Sequence, residues 1–326
     1  MRELTSTALQ VLHPLMRAKG CGLSAEEFHN AVNLAFHNAE SSAYDELHRT
    51  MWESLPVQFD LLADGLTAAR PLPDDLVVLD VGSGTGLSSE LLLRTGLGPR
   101  IRRIDLLDTS SGMLSVSTAR AQRWGVPFRA LHGGIESVSG ESHYDVVLAC
   151  SVLHHIPELP AFLGNVRRLQ RPGGAFLHLQ DPDAESIGSR RLARRRLLMR
   201  AAHRLRRLFS RSAAHGEGDS GDYLDAVNRT LLDDGVVETG LTAEELWSVT
   251  DIHVPGNAFA VGNGVSMELI RRALPGYTSV VRRSYGFFGQ LAGDLPAALR
   301  WRERALVKAG AREGYFLAGA WARDLD

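Results

Sequence analysis

Apolar and polar positions follow two different periods along this chain. Between about residues 76 and 183, short continuous apolar runs are each followed by a stretch with helical spacing. The runs cover 76–79, 104–108 (Asp105 notwithstanding), 128–131, 144–150 and 175–179, and mainly apolar runs of this length are the pattern of buried parallel strands. Stretches between them, such as 87–94 and 163–169, place apolar residues three and four apart. Strand and helix in alternation predict right-handed crossovers and a parallel sheet. Residues 277–288 and 315–322 are the candidates for a sixth and a seventh strand, separated by a helix over 296–309. Residues 1–66 read as helices: Leu9, Leu12 and Met16 keep helical spacing, Pro14 interrupts it, and Ser24 with Glu27 forms a capping box.

The first strand runs into Asp80-Val81-Gly82-Ser83-Gly84-Thr85-Gly86. Glycine at every second position lets the backbone turn sharply and lets a ligand approach without a Cβ in the way. The helix that follows offers free N–H groups and a positive dipole end to a carboxylate or phosphate. A dinucleotide site would want a third glycine where Leu87 stands, which argues against an oxidoreductase. The second strand ends in Asp108-Thr109-Ser110-Ser111-Gly112-Met113-Leu114. An acid about 20 residues beyond the glycine turn is positioned to accept both hydroxyl hydrogens of a ribose.

The G-x-G-x-G turn after Asp80, the D-x-S-x-x-M-L run at Asp108, and the later blocks Tyr144-Asp-Val-Val-Leu148, Leu153-His-His-Ile156 and Arg171-Pro-Gly-Gly174 occur in a fixed order. Together they resemble class I S-adenosylmethionine (SAM) methyltransferases, those acting on small molecules. The resemblance implies an α/β Rossmann-like fold: a seven-stranded, mostly parallel sheet with helices on both faces. It implies SAM as cofactor and S-adenosylhomocysteine as product. Carried over residue by residue, Asp80, Gly82, Ser83, Gly84, Gly86, Asp108, Thr109, Met113, Gly134, Ile135 and Cys150 would line the cofactor. One position departs from the pattern: Gly134 stands where the family usually has an Asp that accepts the adenine amino hydrogen. Backbone groups at Gly134 and Ile135, or Glu136 reaching in, would have to serve instead.

Four residues are candidates for the chemistry. Methyl transfer from a sulfonium needs the acceptor aligned, water excluded and, for oxygen or nitrogen, a base. Ligands sit at the carboxyl ends of strands in this class, and His154 and His155 lie just beyond strand four. Tyr44 and His154 resemble the tyrosine–histidine pair of phosphobase methyltransferases, and Tyr44-Asp45 lies in an N-terminal segment that folds over the cofactor in many relatives. His253 from the second half is the fourth. The N-P-P-Y tetrad of DNA and glutamine methylators is absent, because Ala149-Cys150-Ser151-Val152 stands there. The expected acceptor is a small metabolite of specialised metabolism, methylated at O, N or C. The alternative is a SAM-binding protein of this fold without methyl transfer, cyclase-like or regulatory.

Composition narrows the rest. A formal charge of −2 over 326 residues argues against general nucleic-acid binding. Two cysteines cannot build a disulfide framework or a cysteine metal site, and no metal is expected. No run approaches the ~20 apolar residues of a membrane span, and residues 1–20 lack a signal-peptide core. A reduced, cytoplasmic protein is expected, with homodimerisation left open. The expected organisation is an N-terminal helical cap (1–66), a SAM-binding core (67–185), a basic helical insertion or lid (186–237), and a C-terminal part of the sheet with pocket elements (238–326). The insertion carries ten arginines between Arg190 and Arg211, with Leu198, Ala202, Leu205 and Phe209 as an apolar stripe. Its arginines could be solvated or paired with Asp219, Asp222, Asp225, Asp233 and Asp234. They could also meet an anionic substrate or carrier, or lie on a membrane surface. Residues 216–221, rich in glycine, read as hinges.

Overall fold

The structure is a computed structural model that describes residues 7–209, 220–257 and 264–325. Seven strands form one sheet: β1 (Leu76–Val81), β2 (Ile101–Asp108), β3 (Phe128–His132), β4 (Tyr144–Cys150), β5 (Gln170–Pro182), β6 (Tyr277–Tyr285) and β7 (Phe316–Arg323). Their order across the sheet is β3-β2-β1-β4-β5-β7-β6. Only β7 runs against its neighbours, antiparallel to both β5 and β6. The chain reverses direction across the sheet beside β1, so the carboxyl ends of β1, β2 and β4 meet at a topological switch point, where ligands bind in this architecture.

Every residue of β1 is buried, and its alternate side chains enter two cores. Leu76 and Val78 join Leu106, Leu148 and Leu177 on one face, under Phe59, Leu62 and Leu66 of the helix Pro56–Ala69. Val77, Leu79 and Val81 join Val147 and Phe176 on the other, under the helix Leu159–Leu169. The unbroken apolar run is therefore required by burial on both sides.

A third core lies apart from the sheet. Phe28 and Val32 of the helix Ala25–Glu40 pack with Val227, Leu231, Leu246 and Val249, from Ser220–Asp233 and Ala243–Thr250. The N-terminal segment thus serves two layers: residues 7–40 build the cap, and Pro56–Ala69 belongs to the sheet. A boundary at residue 66 falls inside that helix.

Three expected boundaries move. Arg171 to Gly174 belongs to β5 as a bulge, because Tyr144 pairs with Gln170 and Val146 with Ala175. β6 stops at Tyr285, because Gly286 takes φ +67° and a Cβ there would stand 2.6 Å from the Phe316 ring. Phe287 and Phe288 then turn into the core. β7 starts one residue later than expected, at Phe316.

The insertion is packed differently from its expected stripe. Among the described side chains of the helix Arg190–Phe209, those of residues 190–201, the buried ones are Leu192 and Met199, seven apart, and Leu198 is 54% exposed. Met199 enters the same core as Phe287. The side chains of Ala202, Leu205 and Phe209, and all of residues 210–219, lie outside the described residues. So do Asp219 and Asp222 as partners for the arginines and most of the expected hinge.

Candidate functional site

The cofactor side begins at the glycine turn. Gly82, Gly84 and Gly86 all have positive φ (+62°, +52° and +83°), so the spacing of three glycines is a backbone requirement. At Gly82 space is also short, since a Cβ would stand 2.5 Å from Val152. Asp80 is fully buried, and its Oδ2 accepts 2.6 Å hydrogen bonds from the hydroxyls of Ser88 and Ser89. Burial pushes its pKa up to about 6, against the pull of those two hydroxyls. It fastens the start of the helix Leu87–Leu93 to the end of β1.

Asp108 spans the gap between the two motifs. Its Oδ2 accepts from the Gly84 N–H and its Oδ1 from the Ser110 N–H, both at 2.8 Å. Burial raises its pKa, and the two backbone donors oppose that rise. Ser110 caps the helix Ser111–Ala121 through the Met113 N–H at 3.0 Å, and Met113 is buried. Thr109 is exposed and its carbonyl meets His132 Nε2 at 2.9 Å. Beyond β3, Ile135 is buried in the short turn Ile135–Ser137. The Glu136 carboxylate folds back over Gly134, where a Cβ would stand 2.3 Å from Glu136 Oε1.

The N-terminal cap is clasped to this edge by polar contacts. Asn38 Oδ1 accepts from Ser110 Oγ at 2.6 Å and from the Gly112 N–H at 3.2 Å. Asp45 accepts from Thr85 Oγ1 at 2.7 Å and pairs with Arg120, whose guanidinium lies 4.9 Å from the Trp52 ring. Tyr44 packs against His48 with ring centroids 4.3 Å apart. Burial pushes its hydroxyl pKa up, and the carboxylates of Glu40, Asp45 and Asp108 and the Cys150 thiol push it further. Sequence spacing signals neither Asn38 nor Arg120.

The other half of the site is a cluster of histidines beyond β4. The strand ends in buried Cys150, and Ser151 follows with φ +59°. Gln180 at the matching end of β5 has φ +69°, so two non-glycine residues hold left-handed backbone side by side. His154 is buried between two carboxylates: Nδ1 lies 2.8 Å from Asp181 Oδ1 and Nε2 3.2 Å from Asp251 Oδ1. Burial alone would lower its pKa, but the hydrogen bonds to Asp181 and Asp251 outweigh it and raise the value to about 9. His154 is therefore an imidazolium at neutral pH. His155 is the opposite case. Its Nδ1 lies 2.8 Å from the Thr250 carbonyl, and burial together with His154 takes its pKa down to about 4. It is a neutral imidazole that donates from Nδ1 and keeps its lone pair on Nε2.

His37 stands edge-on to His155, centroids 5.3 Å apart, and burial takes its pKa to about 3. His253 braces the same loop, with Nε2 2.9 Å from the Ile156 carbonyl and its N–H donating to the His154 carbonyl at 3.2 Å. A cleft at the opposite, amino-terminal end of the strands is lined by Arg70, Asp145 and Gly173. Arg70 there meets the Arg323 carbonyl, Asp145 meets Arg171 and the Val77 N–H, and Asp324 also lines the cleft.

Comparison with known proteins gives this geometry its family. Residues 79–178 match the family described as a methyltransferase domain. Residues 79–178 are a methyltransferase domain. A ubiquinone biosynthesis O-methyltransferase of Paramagnetospirillum magneticum is 35% identical over 108 residues, 33% of this chain and 41% of that protein. The highly reducing polyketide synthase azaB of Aspergillus niger is 31% identical over 115 residues, 32% of this chain and 4% of that protein. The chain thus spans under half of the first relative and a small part of the second. A methyltransferase solved in complex with the Haloferax volcanii Trm112 activator is similar with a TM-score of 0.45 at 15% identity, over 88% of this chain and 97% of that one.

The cofactor of the methyltransferase domain is SAM. At the carboxyl ends of β1, β2 and β4 the structure brings the glycine turn, Asp108, Cys150 and Tyr44 together. Two expectations about single residues change. Asp80 has no exposed surface and meets the helix start. Among the described residues no hydrogen bond joins Tyr44 to His154; Tyr44 packs on His48, and His154 meets Asp181 and Asp251. Asp181 and Asp251 are the site residues that sequence reading missed. Asp181 lies in the last residues of β5 without a motif around it, and Asp251 follows a capped helix far along the chain.

Proposed function

We propose that the protein transfers the methyl group of SAM to a small-molecule acceptor held beyond β4, beneath the N-terminal cap. The observation that carries this reading is the pairing of two half-sites on one edge: a glycine turn with Asp108 on one side, and the His154–His155–Asp251 cluster on the other. The sulfonium carries the activated group, so the chain's task is alignment, exclusion of water and handling of the acceptor's proton. The cap supports exclusion, since Asn38 and Asp45 tie it across the motif that would hold the cofactor. Gly82, Ser83, Gly84 and Gly86 would contribute backbone to the methionine part, and Asp108 the ribose contact. Thr109, Met113, Gly134 and Ile135 would flank adenine, with Glu136 folded over Gly134 as the acid nearest the amino group. His154, held between Asp181 and Asp251, and His253 would position the loop, while His155 and Tyr44 would face the acceptor.

Among acceptors at O, N or C, one relative supports oxygen, since it is named an O-methyltransferase. We place the acceptor among small products of specialised metabolism and the protein in the cytoplasm. Among the described residues no helix is long and apolar enough to cross a membrane. The test is S-adenosylhomocysteine formation from SAM with a panel of hydroxylated, amine and β-dicarbonyl acceptors. Product with at least one class, lost in Asp108→Ala, is expected. SAM binding without turnover on any class would leave a binding module and contradict the reading.

A further inference from the structure

We propose that His154, His155 and Asp251 form the binding site of one divalent transition-metal cation on the acceptor side. One ligand atom from each residue lies within 4.8 Å of the other two. One edge of that triangle already has the dimensions of a coordination sphere. His154 Nε2 and Asp251 Oδ1 are 3.2 Å apart. Two ligands each ~2.0–2.2 Å from one cation stand roughly 2.9–3.5 Å apart at octahedral or tetrahedral angles. A cation can therefore take the place of the proton between them once the two side chains turn their lone pairs towards it. His155 Nδ1 lies 3.9 Å from the same Asp251 oxygen and is held by the Thr250 carbonyl, so the third side closes when the His155 ring moves to bring Nε2 into the set.

The surroundings are those of a ligand set. Metal-binding histidines hold their second nitrogen on a carboxylate or carbonyl, which fixes the ring and aims the other nitrogen. His154 Nδ1 is held by Asp181 at 2.8 Å and His155 Nδ1 by the Thr250 carbonyl at 2.8 Å. Asp181 is fully buried, and its other oxygen, Oδ2, has no hydrogen-bond partner. The His37 ring, edge-on to His155, supplies a further imidazole at the same wall.

Two imidazoles and one carboxylate suit zinc, cobalt, iron or manganese better than calcium or magnesium, which take oxygen sets. Three protein ligands leave a position open for an acceptor oxygen, as in catalytic zinc sites. The consequence for catalysis rests on the methyl-transfer reading; cation binding itself does not. A hydroxyl on the cation loses its proton to solvent more readily. The oxygen then forms a bond to the methyl carbon, the carbon–sulfur bond breaks, and sulfur keeps the electron pair.

The test uses the full chain without an affinity tag, stripped with a chelator and titrated with Co²⁺. One equivalent is expected, with visible absorption bands of a low-symmetry site that Zn²⁺ abolishes by displacement. Asp251→Asn and His155→Gln should weaken Co²⁺ at least tenfold while keeping S-adenosylhomocysteine affinity, which certifies the fold. Asp181→Asn, a positioning change, should weaken it about 10–100-fold. No cobalt spectrum in wild type, or equal cobalt affinity in the two ligand variants, overturns the site. Equal turnover of an acceptor in chelated and zinc-loaded enzyme overturns its catalytic use.

Discussion

Asp108 shows how one side chain can join two motifs. Each of its oxygens takes one backbone N–H, from Gly84 and from Ser110, and each retains lone pairs for a ribose. A hydrogen bond to a charged group contributes ~1.5–3 kcal/mol, so Asp108→Ala should weaken S-adenosylhomocysteine binding at least about tenfold in calorimetric titration. Unchanged affinity in a folded variant would remove the cofactor assignment. Asp80 has a different signature. Its pKa rises from 3.8 to about 6 on folding, so the folded state holds the proton longer than the unfolded chain does. The contribution of Asp80 is therefore greatest below pH 4 and declines as pH rises towards 6. Asp80→Asn cannot ionise, and its denaturation midpoint should lack that decline; parallel pH profiles for the two proteins would count against it. Both residues were legible in the sequence because their meaning is local: a strand end, a glycine turn, a fixed distance. His154 was legible only as a histidine in the right place. That it is a cation depends on Asp181 and Asp251, which come from distant parts of the chain.

Among the elements, the basic helix Arg190–Phe209 departs most from its expected role. An apolar stripe through Leu198 and another through Leu192 and Met199 both satisfy helical spacing, and the sequence does not choose between them. Tertiary contact does, since Met199 enters the core beside Phe287. The arginines follow from that rotation. The Arg195 guanidinium lies 5.2 Å from the Phe287 ring, Arg196 lies 5.5 Å from Tyr315, and Arg191 meets Glu313 at 3.2 Å. Three of the basic residues thus serve to fasten the helix to the body of the protein. Met199→Ala should cost about 2–5 kcal/mol in urea denaturation. Leu198→Ala, at a half-exposed position, should stay within about 0.5 kcal/mol of wild type. Equal losses would restore the stripe read from sequence. The strands were easier, because continuous burial leaves only one pattern for β1 and β4. Where glycine or a bulge intervened, at Gly286 and Arg171 to Gly174, the boundaries moved by a few residues.

For the whole molecule, the proposed places of SAM and acceptor share one edge of the sheet, and the cap is tied across that edge by Asn38 and Asp45. The fold was legible as an order of blocks, whereas the docking of the cap was not. It rests on Asn38, Asp45 and Arg120, polar residues whose pairing crosses from the first helices to the core. Asp45→Ala removes the bond to Thr85 and the pair with Arg120 but leaves Glu90 3.5 Å from Arg120. S-adenosylhomocysteine should then dissociate several-fold faster in a chase experiment, with little change in Tm, because lids are drawn from locally weak contacts. An unchanged dissociation rate would make the clasp irrelevant to the cofactor. The central claim, that one edge of the sheet holds SAM against a histidine cluster, is tested most directly by a crystal structure with S-adenosylhomocysteine bound. The account expects the ribose hydroxyls on Asp108, adenine between Met113 and Ile135, and the sulfur directed towards His154 and His155. A ligand with its ribose away from Asp108, or with its sulfur turned from the histidines, would contradict it.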